Sequence, residues 1–498
     1  MPKKAVREGS IINALKSIHN LSNKDPVMKE DVTLALIVGT RGIFNPKLAV
    51  EGRKSICARM KELGCKVIVP PQDATPNGAV ETVEDARVYT KFLQENREKI
   101  NGIVITLPNF GDELGTITAL KMADLKVPVL VHAFDDEINK VDVSQRRDSF
   151  CGKLSVCNNL HQYGIPFTDT TFHTEPVESK EFAADIDRFV RICRIVGGLR
   201  TARIAAIGAR PTPFQTMRYS EKLLQAAGIT VVTLDLSEIL FPAMRLDDHA
   251  AAVTRKLKEI RAYGSIPKSI ADEKVLKQAK FSVAAEEWIE KNDIHAAAFQ
   301  CWTSIQQNYG CAACLTMSML GEKGIPCACE VDVGGVLAMY ILRLATGNAS
   351  ALLDWNNNYG ADREKCVCTH CSNYPKSFID GPVEISNLGV LGTTLGPENC
   401  FGGVKGKVKA GPMTFLRADT DDLHGKMRAY LGEGEFTDDR CDMDGGIAVC
   451  KVKNLQGLMK HICKKGFEHH VAMVRTHCAG VVREAIETYL GWELYAHE

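Results

Sequence analysis

IPCACEVDVGGVLAMYILRLATGNASALLD, residues Ile325 to Asp354, holds two short apolar runs that each end on a carboxylate, with one helical stretch between them. The first run, Ile325 to Cys329, follows Gly324, carries its proline near the start and ends on Glu330, as a buried strand of a parallel sheet does. Val336 to Leu344 is apolar at helical spacing, and Thr346-Gly347-Asn348 supplies a stop before Ala351-Leu352-Leu353 leads to Asp354. Strand, helix and strand of this length predict a βαβ unit, with both carboxylates at the carboxyl edge of one sheet, where ligands of open α/β sheets bind. Two carboxylates converging there repel unless a cation or a shared proton compensates, which points to a divalent metal site. The other reading is that Glu330 and Asp354, at strand ends, merely cap the next helix.

Upstream, strands at Val32–Gly39, Cys65–Pro70, Gly102–Leu107 and Val127–Ala133 alternate with helical patterns over Pro46–Leu63, Val80–Lys99 and Asp112–Ala123. This predicts a doubly wound α/β domain. Arg41 follows its first strand, at the edge where anionic or polyol ligands bind, or it is a surface ion pair. A helix from Ser149 to Tyr163 leads to a second unit of the same type, with strands at Ala202–Ile207, Thr230–Leu234 and Ala296–Phe299. Its turn Gly208 to Pro213 lacks the glycine spacing of a dinucleotide fingerprint or a P-loop. Gln300 and Trp302, just past the last of these strands, are read as substrate contacts. Beyond Asp354 come short strands separated by Gly-rich turns, as in a small antiparallel barrel or sandwich. The expected architecture is α/β: two doubly wound α/β domains, 1–165 and 166–355, followed by a β-rich, barrel-like C-terminal domain, 356–498.

Near the C-terminus, Glu468 to His477 is a short strand flanked by imidazoles. Paired histidines after a turn are frequently only solvated, but beside two carboxylates one imidazole is a natural third ligand for a first-row divalent ion. Cys311-x2-Cys314 and Cys368-x2-Cys371 offer a rival zinc site. Against it, 53 residues separate the pairs across an expected domain boundary, and the first pair lies in an apolar helical stretch.

Lys plus Arg and Asp plus Glu both number 61 in 498 residues, so the balanced charge argues against nucleic acid or an anionic membrane as partner. The start, MPKKAVREGS, has basic residues with no apolar run after them, and no stretch of 18 apolar residues occurs. Eighteen cysteines, mostly inside apolar segments, read as free thiols in a reducing compartment, so the expected location is cytoplasmic.

These residues resemble the L-fucose isomerase and L-arabinose isomerase family, in its fucose isomerase-like branch. Glu330 followed 24 residues later by Asp354 is similar to that branch's pair of metal-binding carboxylates, and His470-Val471-Ala472-Met473-Val474-Arg475-Thr476-His477-Cys478-Ala479-Gly480 resembles its C-terminal histidine motif. Val471 stands where that motif usually has glycine. The resemblance implies a metal site of Glu330, Asp354 and His470 holding Mn2+ or another divalent ion, and a small-molecule sugar as substrate. It also implies that Arg41 serves a neighbouring subunit's site in a homo-oligomer, a hexamer by resemblance. The implied activity is that of a metal-dependent aldose–ketose isomerase for a deoxyhexose, pentose or modified hexose, working through a cis-enediol. The C2 proton of an aldose becomes removable once a divalent ion on O1 and O2 polarises the carbonyl. Glu330 and Asp354 then serve as the acid–base pair. The contrasting expectation is a non-catalytic sugar-binding or sensing protein on the same fold.

Overall fold

The computed structural model describes residues 32–498; the basic stretch MPKKAVREGS lies outside them. The described residues divide into two compact units, one of 32–201 with Gly480–Leu494, the other of Ala202–Ala479 with Tyr495–Glu498.

In the first unit, β1 (Thr33–Val38), β2 (Lys66–Ile68), β3 (Gly102–Leu107), β4 (Val129–Ala133) and β5 (Thr168–Asp169) form a parallel sheet in the order β2-β1-β3-β4-β5. Side chains of a strand alternate between faces, and both faces here are covered. Ala35, Ile37, Ile103, Ile105 and Val131 pack with the helices Val83–Glu95, Glu113–Ala123 and Ser149–Gln162. Leu34, Leu36, Val38, Val104 and Leu130 pack with Lys47–Glu62 and Lys180–Arg200. This is the doubly wound arrangement expected.

The second unit opens with a parallel sheet of β6 (Arg203–Ile207), β7 (Thr230–Leu234), β8 (Ala296–Phe299) and β9 (Cys327–Ala328), in the order β7-β6-β8-β9. After β9 the helix Val333–Thr346 is capped at its start by the Asp332 side chain, which accepts from Gly335 N at 2.8 Å. It ends on Gly347, whose left-handed φ of 75° costs an L side chain and suits glycine.

The single-sheet βαβ expectation fails at this helix. The next strand, β10 (Ser350–Tyr359), does not return beside β9; it pairs antiparallel with β11 (Asp362–His370) and with β17 (His470–Val474) in a different sheet. All of the helix but Arg343 and Leu344 is buried, and it contacts β8 and β9 of the small sheet as well as β10, β14 (Gly411–Asp421) and β17 of the large one. A helix apolar on every side needs cover on every side, so it lies between two sheets rather than upon one.

The large sheet also holds β12 (Glu384–Asn387), β13 (Phe401–Lys407), β15 (Lys426–Thr437) and β16 (Gly446–Lys451). Six of its strands close on themselves in the order β16-β11-β10-β17-β14-β15 and back to β16, every pairing antiparallel. Alternate residues such as Leu353, Cys368, Phe415, Tyr430, Phe436, Cys450, Val471 and Met473 share one buried core, as a small barrel requires.

Candidate metal centre and active site

Glu330 stands in the turn between β9 and its helix. Asp332 N donates to Cys329 O at 2.9 Å, and the two residues between, Glu330 and Val331, have φ of 54° and 57°. Both lie in the left-handed region, which is uncommon for L residues and costly for a β-branched one. The turn is held from outside by Val331 N donating to Phe299 O at 3.1 Å. Glu330 Oε1 accepts from Trp302 Nε1 at 2.8 Å and from Cys301 Sγ at 3.3 Å. Its other oxygen, Oε2, is buried with no hydrogen-bond partner among the described residues.

The barrel's register supplies the rest. Asp354 on β10 lies opposite His470 on β17 and opposite Thr369 on β11, the neighbour of His370. Asp354 Oδ1 is 3.1 Å from His370 Nδ1 and 3.4 Å from His470 Nε2, and Glu330 Oε2 is 3.7 Å from Nε2 of each histidine. His370 Nε2 is a second buried atom with no hydrogen-bond partner among the described residues. Leaving such atoms unsatisfied is expensive, and oxygen and imidazole donors converging at these distances are compatible with a divalent metal ion. They line a cavity of about 410 Å³ whose walls include Phe214 and Trp302.

Behind the donors runs a buried chain of charge. His470 Nδ1 meets Asp332 Oδ2 at 2.8 Å, which directs Nε2 into the cavity. Arg417 grips Asp332 at both oxygens, at 2.6 and 3.0 Å, and its Nε donates to Glu468 at 2.9 Å. Burial alone would raise the Asp332 pKa, but Arg417 and His470 hold it far below the carboxylate range. Burial likewise works to lower His470, and Asp332 outweighs it so that the net direction is up. Glu468 rises to about 7, chiefly through burial, with Asp419 and Asp332 adding to it against Arg417. Asp354 is lowered despite its burial because His370 and His470 face it.

Of the residues singled out in the sequence, the structure brings Glu330, Asp354, His470 and Trp302 to one cavity. Gln300 faces another, of about 530 Å³, with Gly208 and Asp235, and its Oε1 accepts from Ala209 N at 2.9 Å. Arg41 belongs to the first compact unit, where its guanidinium lies 4.1 Å over the Phe110 ring, donates to Gly111 O at 3.1 Å and pairs with Glu113 at 3.5 Å. Sequence reasoning missed His370, which sits inside Cys368-x2-Cys371 and so reads as part of a zinc motif. The signal available was its position at the end of a strand, the same place that drew attention to Glu330 and Asp354. Among the described residues, neither group of donors able to hold a metal contains a whole Cys-x2-Cys pair. Cys368 faces the barrel core, whereas Cys311 and Cys314 belong to the core of the small sheet, with Cys371 packed against it.

Residues 35–200 match the family model for the fucose/sulfoquinovose isomerase N-terminal domain, and residues 368–497 match that for the L-fucose isomerase C-terminal domain. Over 417 residues the chain is 26% identical to the sulfoquinovose isomerase of Priestia aryabhattai, covering 82% of this chain and 87% of that protein. It is 24% identical over 398 residues to the sulfoquinovose isomerase of Alkalicoccus urumqiensis, covering 79% and 85% respectively.

Proposed function

Because this chain belongs to the fucose isomerase family and is a sugar isomerase, we propose that it is a metal-dependent aldose–ketose isomerase acting through a cis-enediol. The carrying observation is the convergence of Glu330, Asp354 and His470 on one cavity with a buried carboxylate oxygen that has no hydrogen-bond partner among the described residues. We assign Glu330, Asp354 and His470 as the ligands of Mn2+ or another divalent ion; when bound, such an ion supplies Lewis acidity toward the sugar's carbonyl. Trp302 and Cys301 fix Glu330 through Oε1, so that Oε2 is the oxygen turned to the chemistry. One carboxylate of the pair Glu330 and Asp354 takes the C2 proton and returns it to C1, while the other carries the hydroxyl proton. Asp332 holds the tautomer of His470 by accepting from Nδ1–H. Trp302, with Phe214 edge-on to it at 5.3 Å, forms an apolar wall for the sugar ring. In this reading the β-rich C-terminal barrel supplies the histidine together with Asp354, Glu330 comes from the turn after β9, and Arg41 completes the site of a neighbouring subunit in a homo-oligomer.

Free thiols at all eighteen cysteines support a cytoplasmic location, and among the described residues no helix is long and apolar enough to cross a membrane. The relatives' names put sulfoquinovose on the substrate panel beside L-fucose, D-arabinose and L-arabinose. The test is Mn2+-dependent exchange of the C2 proton in deuterium oxide with ketose formation on that panel, repeated with His470→Ala. Exchange by the native protein and its loss, together with tight Mn2+ binding, in a folded His470→Ala protein is expected. Unaltered Mn2+ affinity in that variant would overturn the ligand assignment. Sugar binding without exchange would turn the reading to a silent sensor.

A further inference from the structure

The isomerase set is not the sole group of donors around Glu330. The sulfur atoms of Cys329 and Cys371, a carboxylate oxygen of Glu330 and a ring nitrogen of His370 all lie within 4.8 Å of one another. Asp354, His370 and His470 form a separate group by the same measure. The two sets differ in chemical softness. Carboxylate-rich sites suit ions such as Mn2+, whereas two sulfurs with one imidazole and one carboxylate select zinc and its heavier congeners. Sulfur donors of tetrahedral zinc stand about 3.8 Å apart, as bond lengths of about 2.3 Å require, so closing this cluster needs shifts on the order of 1 Å.

A second observation points to the same place. Glu330 Oε2 and His370 Nε2, on side chains exposed by 3% and 2%, are buried without hydrogen-bond partners among the described residues and lie 3.7 Å apart. Cys329 is fully buried, with Asn373 Nδ2 at 3.5 Å from its sulfur, and Cys371 is half-buried. Neither thiol has a part in the proposed isomerisation.

We propose that Cys329, Glu330, His370 and Cys371 form a thiophilic metal site that takes Zn2+ or Cd2+, giving up two thiol protons to solvent as the sulfurs bind. Since Glu330 belongs to both sets, a soft ion held there removes a ligand from Mn2+ and silences the isomerase. The binding itself stands apart from the isomerase reading; only the competition rests on it.

The experiment titrates metal-free protein with Cd2+ and follows the sulfur-to-cadmium charge-transfer band in the ultraviolet. Native protein is expected to show the band at one equivalent, and Cys371→Ser to bind at least about tenfold more weakly with the band lost. Asp354→Asn is expected to keep it. Cys329→Ser serves as a second probe, and near-ultraviolet circular dichroism checks that each variant is folded. Spin resonance of bound Mn2+ supplies the competition arm: Zn2+ outranks Mn2+ at carboxylate and imidazole donors too, so the amount needed is read, and expelling Mn2+ from Cys371→Ser is expected to take at least about tenfold more Zn2+ than from the native protein. No band in the native protein, or an undiminished band in Cys371→Ser, overturns the site. A normal band with no isomerase activity on any sugar would overturn the isomerase reading instead and leave this site standing.

Discussion

Asp332 puts no atom into the cavity, yet three demands meet on it: it caps the helix, steadies His470 and neutralises Arg417. Glu330 and Asp354 are legible in the sequence because a carboxylate at the end of an apolar run stands out. Asp332, Arg417 and Glu468 are not, because a charged residue in a strand or loop looks the same whether it faces water or a buried partner. Burial decides, and Arg417 is 1% exposed. Replacing it by methionine strands two buried carboxylates, so Arg417→Met is expected to cost about 3–5 kcal/mol in urea unfolding. A loss below about 1 kcal/mol would show that the chain of charge contributes no net stability.

Another buried residue makes a prediction about acid. His132, hydrogen-bonded to Thr106 Oγ1 and to Glu175 O at 2.9 Å each, is pushed by burial from 6.5 to about 4. The Glu175 carboxyl is raised by burial and by Asp185 from 4.5 to about 7. A lowered histidine gives stability that is present above 6.5 and lost as pH falls toward 4. A raised carboxyl gives stability that is present below 4.5 and lost as pH rises through 7. Between 4.5 and 6.5 folded and unfolded chains then hold equal numbers of protons on this pair, and its contribution is flat. Glu175→Gln removes one side of the balance, so its stability relative to native is expected to fall by about 3 kcal/mol between pH 6.5 and 4. Parallel pH curves for the two proteins would refute this.

At the scale of elements, the first α/β domain and the run of C-terminal strands can be read from periodicity, since alternating faces and helical spacing survive without tertiary context. The destination of β10 cannot. Ala351-Leu352-Leu353 is an apolar run whichever sheet receives it, and the clue was the helix before it, whose apolar surface extends all round. The turn from Cys329 to Asp332 is equally silent, because nothing about Glu330-Val331 suggests left-handed backbone. In Val331→Gly the lost burial costs about 2 kcal/mol and the relief of a left-handed β-branched residue returns about 1–2 kcal/mol. The melting temperature is therefore expected to stay within a few degrees while turnover falls, because the turn that aims Glu330 loosens. A melting point lower by ten degrees or more would mean that the turn is unstrained.

For the whole molecule, Arg41 and Glu330 belong to different compact units, and the proposed reading puts Arg41 into a neighbouring subunit's site. Mixing then discriminates. Arg41→Ala and Glu330→Ala proteins, each inactive alone, are expected to regain part of the native activity when dissociated and reassembled together, since some sites receive both intact residues. No recovery from mixtures that assemble normally would rule out a shared site.

The closed ring of six strands has a consequence in time. Its last strand in the chain is β17, which opens with His470, 116 residues after Asp354. While the polypeptide is being made, Glu330 and Asp354 emerge long before the imidazole that the proposed reading adds to their set, and the barrel that sets Asp354 opposite His470 stays open until β17 is inserted. In the proposed reading, a growing chain can therefore hold its ion tightly only once β17 has been made.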